Sequence, residues 1–162
     1  MRNAPVIYIV VPCYNEEEVL PLTAEFLGKK LDDLIRSRRI HPGSRVLMVD
    51  DGSKDKTWKL IEEFHEKDER FAGVKLSRNR GHQNALLAGL FEAARRRCDA
   101  AISMDADLQD DVDACDAMIE RYMAGCDIVY GVRRHRTTDT FFKRTTALGF
   151  YKIMNALGAN TV

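Results

Sequence analysis

No stretch of the 162 residues approaches the roughly 18 consecutive apolar residues that a membrane-spanning helix needs, so no such span is expected within them. Cysteine is scarce and forms no motif. Cys13, Cys98, Cys115 and Cys126 make no C-x-x-C pair, and three of them fall in segments that read as strand or helix. That argues against a zinc site or a disulfide framework and predicts packing roles in a reducing compartment. Neither sign of charge is in excess: 25 Lys+Arg face 25 Asp+Glu, so no nucleic acid or other polyanionic partner is expected. A secretory leader is also lacking, because Met1-Arg2-Asn3-Ala4 runs straight into a strand-like segment; the expected location is cytoplasmic. Internal repeats, low-complexity tracts and linkers are absent. With a hydrophobic share of 45%, the chain reads as one globular domain over 1–162. It stops at Asn160-Thr161-Val162 without a turn or capping signal, which predicts a domain incomplete at its C-terminus.

What is present is alternation. The β-branched run 6–11, ended by Pro12, reads as a buried strand. Asn15 is placed to cap a helix with Glu16, Glu17 and Glu18 in its first turn and apolar residues at Val19, Leu20, Phe26, Leu27, Leu31, Leu34 and Ile35. Pro21 is tolerable in the first turns of that helix. After the break at 41–44, residues 46–49 read as a second strand and 55–67 as a helix starting at Asp55. Residues 74–76 are a short third strand, followed by a polar loop and a helix with Leu86, Leu87, Leu90 and Phe91 on one side. That helix runs to Arg95-Arg96-Arg97, a solvated helix end. Residues 100–103 form a fourth strand. A helix with Met118, Ile119, Tyr122 and Met123 closes at Gly125, and 127–131 is a fifth strand. A basic loop then leads into a last amphipathic helix carrying Phe141, Phe142, Leu148, Phe150, Tyr151 and Ile153. Strands alternating with helices through short connections predict an α/β fold, a mainly parallel sheet flanked by helices.

In such a sheet every strand ends on the same edge, where ligands bind. The polar residues after successive strands should therefore meet. They are Pro12, Tyr14, Asn15 and Glu16; Asp50, Asp51, Gly52 and Ser53; Arg78, Asn79 and Gly81; Asp105, Asp107 and Gln109; and Arg133, Arg134 and Arg136. Acids, an aromatic ring, glycines and arginines at one edge suit a nucleoside diphosphate with its metal. Tyr14 can stack on a base, and Asp51 can accept from a ring N–H or a ribose hydroxyl. Gly52 leaves room for the ligand. Asp105 and Asp107, with one methyl between them, can converge on a hard cation such as Mg²⁺ or Mn²⁺. The arginines can take a phosphate. Each feature also has a local reading. Tyr14 can be half-buried packing, and 50–53 can be a turn before an Asp55 cap. Asn79 and Gly81 can simply shape a loop. His82 reads as a helix-start residue and not as a ligand. Asp110, Asp111 and Asp113 read as favouring the start of the next helix. The weight lies in the coincidence of acidic strand ends, since D-x-D alone is a weak motif.

Five ordered segments carry a resemblance: Val11-Pro12-Cys13-Tyr14-Asn15-Glu16-Glu17; Val49-Asp50-Asp51-Gly52-Ser53-Lys54-Asp55-Lys56-Thr57; Asn79-Arg80-Gly81-His82-Gln83-Asn84-Ala85; Met104-Asp105-Ala106-Asp107-Leu108-Gln109-Asp110; and Val129-Tyr130-Gly131-Val132-Arg133. Together they resemble the GT-A fold, family 2 glycosyltransferases, and among these the branch of bactoprenol glucosyltransferases and dolichyl-phosphate mannose synthases. Phe142-Lys143-Arg144 and Phe150-Tyr151 fit the same branch. The resemblance implies an enzyme: inverting transfer of a hexose from a nucleotide sugar, UDP-glucose first and GDP-mannose second, to a polyprenyl phosphate, with Mg²⁺ or Mn²⁺. It implies that Pro12, Tyr14, Glu16, Val49 and Asp51 form the base and ribose pocket, and that Asp105 and Ala106 lie along ribose and diphosphate. Asp107 and Gln109 hold the metal by the same resemblance, and Arg133 and Arg144 meet phosphates of donor or acceptor. Asp107 and Arg133 are the implied catalytic residues. Membrane association at the cytoplasmic face is expected from segments that the family carries beyond this chain. This sequence departs from the branch at Asp111-Val112-Asp113, where a proline is usual. The 162 residues are expected to bind nucleotide weakly and not to turn over.

Other readings fit less well. Family 2 members with polysaccharide or other hydroxyl acceptors remain an alternative and need a carboxylate base. A phospho-receiver signalling domain would place its acidic pair after the first strand, whereas Asp50-Asp51 follows the second. A D-x-D-x-T phosphatase wants Thr or Val where Gln109 stands, and a sugar-nucleotide pyrophosphorylase wants a glycine-rich, arginine-bearing loop after the first strand.

Overall fold

A computed structural model describes residues 4–107 and 111–131. The chain divides into two compact units, 1–129 and 130–162, and the elements below belong to the first. They alternate as expected: β1 (Ile7–Cys13), α1 (Leu20–Arg36), β2 (Arg45–Asp50), α2 (Thr57–Lys67), β3 (Phe71–Lys75), α3 (His82–Arg95), β4 (Ala100–Ser103) and α4 (Ala114–Met123). The strands make one parallel sheet in the order β3-β2-β1-β4. Helices cover both faces, so every residue of β1 is buried, and its continuous Ile/Val run is what such a strand requires.

Side-chain alternation along the strands sorts the core into two layers. Ile7, Ile9 and Val11 point with Val46 and Met48 toward α1, α2 and α4, meeting Leu27, Leu31, Ile61 and Ile119. Tyr8, Val10, Leu47 and Val49 point the other way, onto α3. There the contact is very close. A Cβ added to Gly89 would lie 2.4 Å from Val10 Cγ1 and 2.8 Å from Val49 Cγ2, so the α3 backbone rests directly on the sheet.

That closeness corrects part of the expected face of α3: Leu86 and Leu90 do pack against the core, but at its margin. Its buried residues are Ala85, Gly89 and Ala93, spaced four apart, while Leu87 and Phe91 are 48% and 68% exposed. Small residues let the helix axis approach the strands, and the larger pair is turned outward. In α1, Phe26 is likewise exposed and not packed inward. The expected fifth strand is also corrected. Residues 127–131 form no strand, and Ile128 and Tyr130 are largely exposed. An apolar run becomes a strand only against a free sheet edge, and in the described residues this run pairs with none. The expected last amphipathic helix lies outside the described residues. Among those described, no helix is long and apolar enough to cross a membrane.

Candidate functional site

The strand order sets the place of the site. From β1 the chain steps to β2 and β3 on one side, then returns to place β4 on the other side of β1. The crevice between the carboxyl ends of β1 and β4 is thus the topological switch point, where open α/β sheets hold ligands. Part of the expected set shares one cleft at this edge. Pro12, Cys13, Tyr14, Glu16, Asp51, Asn79, Gly81 and His82 line a cleft of about 170 Å³. A larger hollow of about 510 Å³ lies at the opposite ends of β1 and β4, against Pro5, Asp99 and Tyr122. Binding at strand carboxyl ends favours the smaller cleft.

Asp51 is 2% exposed, and its carboxylate holds the loop after β3. Oδ1 accepts from the Arg80 N–H at 2.7 Å and Oδ2 from the Gly81 N–H at 2.9 Å. A carboxylate has about four acceptor positions, so two remain for a ligand. Gly52 is explained by the same loop and not by ligand passage. At φ +69°, its missing Cβ would stand 2.5 Å from the Arg78 carbonyl carbon and 2.6 Å from the Asn79 nitrogen. The neighbouring Asp50 is fully buried. Its Oδ1 accepts from the Ser53 N–H, and its Oδ2 finds no hydrogen-bond partner among the described residues.

The loop after β1 is pinned to the loop after β2, which corrects the reading of Asn15 as a helix cap. Asn15 has φ +55°; its N–H donates to Ser53 Oγ, and its side-chain oxygen accepts from the Lys54 N–H. The Glu16 N–H donates to Thr57 Oγ1 and the Glu17 N–H to Asp55 Oδ2, while Glu17 Oε2 accepts from the Lys56 N–H. Helix α1 therefore starts later, at Leu20, without a side-chain cap. These bonds fix the backbone from which Tyr14, 41% exposed, and Glu16 reach the cleft.

On the β4 side, Asp105 and Asp107 are exposed and Ala106 is buried. The buried Thr23 hydroxyl of α1 donates to the Ala106 carbonyl at 2.7 Å. Burial raises the Glu16 carboxyl above its usual range, and the charges of Asp107 and then Asp55 add to it. Glu16 and Asp107 thus face one field of negative charge. Oxygen donors of this kind fit a hard divalent cation. Among the described residues, no three carboxylate, imidazole or thiolate groups converge on one point. Gln109, Arg133 and Arg144 lie outside the described residues. Val49 is fully buried under α3. Burial pushes the Cys13 thiol far up, with Glu16 and Asp50 adding to it, and Cys115 up to about 11, again chiefly by burial. Both are packing groups, as the sequence predicts.

Asp113 stands at the start of α4 as expected, at the N-cap position, but its side chain makes no capping bond and pairs instead with Lys30 of α1; Asp111 Oδ1 accepts the Asp113 N–H. Sequence reasoning missed two residues near the site. Thr23 gives no signal, because a threonine inside an amphipathic helix reads as neutral. His82, set aside as a helix start, is indeed the first residue of α3, but it lines the cleft and faces Asp105.

Comparison with known proteins agrees with this geometry. Residues 8–161 match the Glycosyl transferase family 2 domain. The Bacillus subtilis protein YkoT, an uncharacterized glycosyltransferase, is 53% identical over 161 residues, covering 99% of this chain and 48% of its own. A prophage bactoprenol glucosyl transferase homolog of Escherichia coli is 36% identical over 151 residues, covering 93% of this chain and 46% of its own. The chain thus spans about half the length of these relatives. Among solved structures, the mannosyltransferase PcManGT from Pyrobaculum calidifontis, in complex with GDP-Man and Mn²⁺, superposes with a TM-score of 0.50 at 27% identity, covering 69% of this chain and 30% of that one. A parallel sheet with acids gathered at its switch point, and a family match over nearly its whole length, mean that this chain belongs to glycosyl transferase family 2 and has the GT-A fold.

Proposed function

We propose that this chain is the donor-binding part of an inverting glycosyltransferase that moves a hexose from a nucleotide sugar to a polyprenyl phosphate at the cytoplasmic face of a membrane. UDP-glucose is the first donor and GDP-mannose the second. One observation carries the reading: Tyr14, Glu16 and Asp51 line one cleft with His82, which faces Asp105, and the charge of Asp107 acts on Glu16. The bactoprenol name of the Escherichia coli relative supports the lipid acceptor, and the GDP-Man and Mn²⁺ in PcManGT support a nucleotide sugar with a divalent cation.

In this reading the Tyr14 ring stacks on the base, and the remaining acceptor positions of Asp51 take a ring N–H or a ribose hydroxyl. Pro12 and Val49 shape the floor, and Asp105 with the Ala106 backbone follows ribose and diphosphate. Asp107 and Gln109 would hold Mg²⁺ or Mn²⁺, whose chemistry is to neutralise charge on the leaving nucleoside diphosphate. Arg133 and Arg144 meet phosphates of donor or acceptor. The acceptor phosphate attacks the anomeric carbon opposite the leaving group: one C–O bond forms as the C–O bond to the diphosphate breaks. A phosphate monoester is already anionic near neutral pH, so this step needs no protein base. Membrane association rests on segments outside the chain.

Calorimetric titration of UDP and GDP, each with and without Mn²⁺, tests the reading. Mn²⁺-dependent binding of one of them by the wild type, lost in Asp107→Ala, is expected. Binding by Asp107→Ala that equals wild type would overturn the metal assignment.

A further inference from the structure

The site is built in two parts that nothing in the sequence joins. On the base side, Asp51 bonds the Arg80 and Gly81 N–H groups. On the ribose and diphosphate side stands Asp105, at the tip of β4. One residue touches both parts. Asp51 fixes Gly81, Gly81 at φ +89° turns the chain into α3, and His82 is the first helical residue. The His82 side chain lines the cleft with Tyr14 and Asp51. Its Nε2 faces Asp105 Oδ1 at 3.7 Å, across 23 positions of sequence, with the two side chains 59% and 50% exposed.

We propose that His82 is a positioning residue for the donor: its Nε2–H holds Oδ1 of Asp105 and so orients that carboxylate beside the donor. The proposal rests on the donor-binding reading above. The distance of 3.7 Å is longer than a hydrogen bond, and contacts of this type commonly tighten when the ligand closes a site. The imidazole is suited to the task because the backbone just before it, at Arg80 and Gly81, is anchored by Asp51. Displacement of the loop after β3 would then disturb both halves together. An exposed side chain at a helix start carries little of the core, so its replacement leaves the fold in place.

The test is a binding cycle with UDP or GDP, whichever the wild type binds tighter in Mn²⁺, on His82→Ala, His82→Gln, Asp105→Ala and the double variant His82→Ala/Asp105→Ala. Loss of a hydrogen bond to a charged group predicts about tenfold weaker binding for His82→Ala. His82→Gln, which places an amide N–H near the position of Nε2, should recover most of the affinity. The double variant should bind about as weakly as Asp105→Ala alone, because the two residues act as one unit. A merely structural role would lower the melting temperature without this non-additivity. Wild-type affinity in His82→Ala, failure of His82→Gln to recover binding, or effects that multiply in the double variant would overturn the proposal while wild-type nucleotide binding keeps the function reading standing. A wild type that binds neither nucleotide would overturn both.

Discussion

The Thr23 hydroxyl, buried in α1, donates a 2.7 Å hydrogen bond to the carbonyl of Ala106, 83 residues away between the two acids at the tip of β4. Both residues are almost wholly shielded from water. Replacing the hydroxyl by a methyl would leave a buried carbonyl without its donor, which costs about 1–3 kcal/mol. Thr23→Val should therefore lower stability by that order in denaturant titration and weaken Mn²⁺-dependent nucleotide binding. Thr23→Ser should recover both, since it restores the donor. Equal stability and affinity in Thr23→Val and wild type would show that the bond does not hold the acidic strand end.

Gly52 permits the loop after β3 to lie against the loop after β2. Its positive φ and the backbone atoms of Arg78 and Asn79 leave no space for a side chain. Gly52→Ala should cost about 1–3 kcal/mol, from strain at a left-handed position and from overpacking. Because Asp51 holds the same loop, the cleft should open and nucleotide affinity should fall. The counter-result is a variant with unchanged melting and unchanged affinity.

Asp68, at the end of α2, is held by Arg70, whose Nε lies 2.9 Å from Oδ1 and whose second guanidinium nitrogen lies 2.6 Å from Oδ2. Those bonds hold the carboxyl below the usual aspartate range. A depressed folded value means stability present above the unfolded value and lost as pH falls through the folded one. Asp68→Asn should thus cost about 1 kcal/mol near neutral pH, and the gap from wild type should close as pH falls through the depressed folded value. A gap of constant size across that range would show that the ion pair is not its source.

The acidic strand ends were legible because a parallel sheet sends every strand tip to one edge, and chain order alone reveals which residues stand there. Tyr14, Glu16 and Asp51 were found in this way, and the structure does bring them to one cleft. Hydrophobic pattern misjudged half of α3: Leu86 and Leu90 pack against the core, but Leu87 and Phe91 are exposed while Ala85, Gly89 and Ala93 take the buried face. Burial follows the distance between helix and sheet, which pattern cannot measure. Asn15 misled for a related reason. A cap and an anchor for a neighbouring loop need the same short polar side chain, and only the position of β2 distinguishes them.

By itself the sequence determined the alternation of strands and helices, the parallel sheet and the acids at the strand tips, since all three follow from periodicity and local chemistry. The strand order β3-β2-β1-β4, which makes the β1/β4 crevice the topological switch point, was decided in three dimensions. So were the hold of Asp51 on Gly81, the bond from Thr23 to Ala106 and the approach of His82 to Asp105. Each joins residues far apart in the chain, and the distance between such residues is set by how the layers pack and not by any pattern along the backbone.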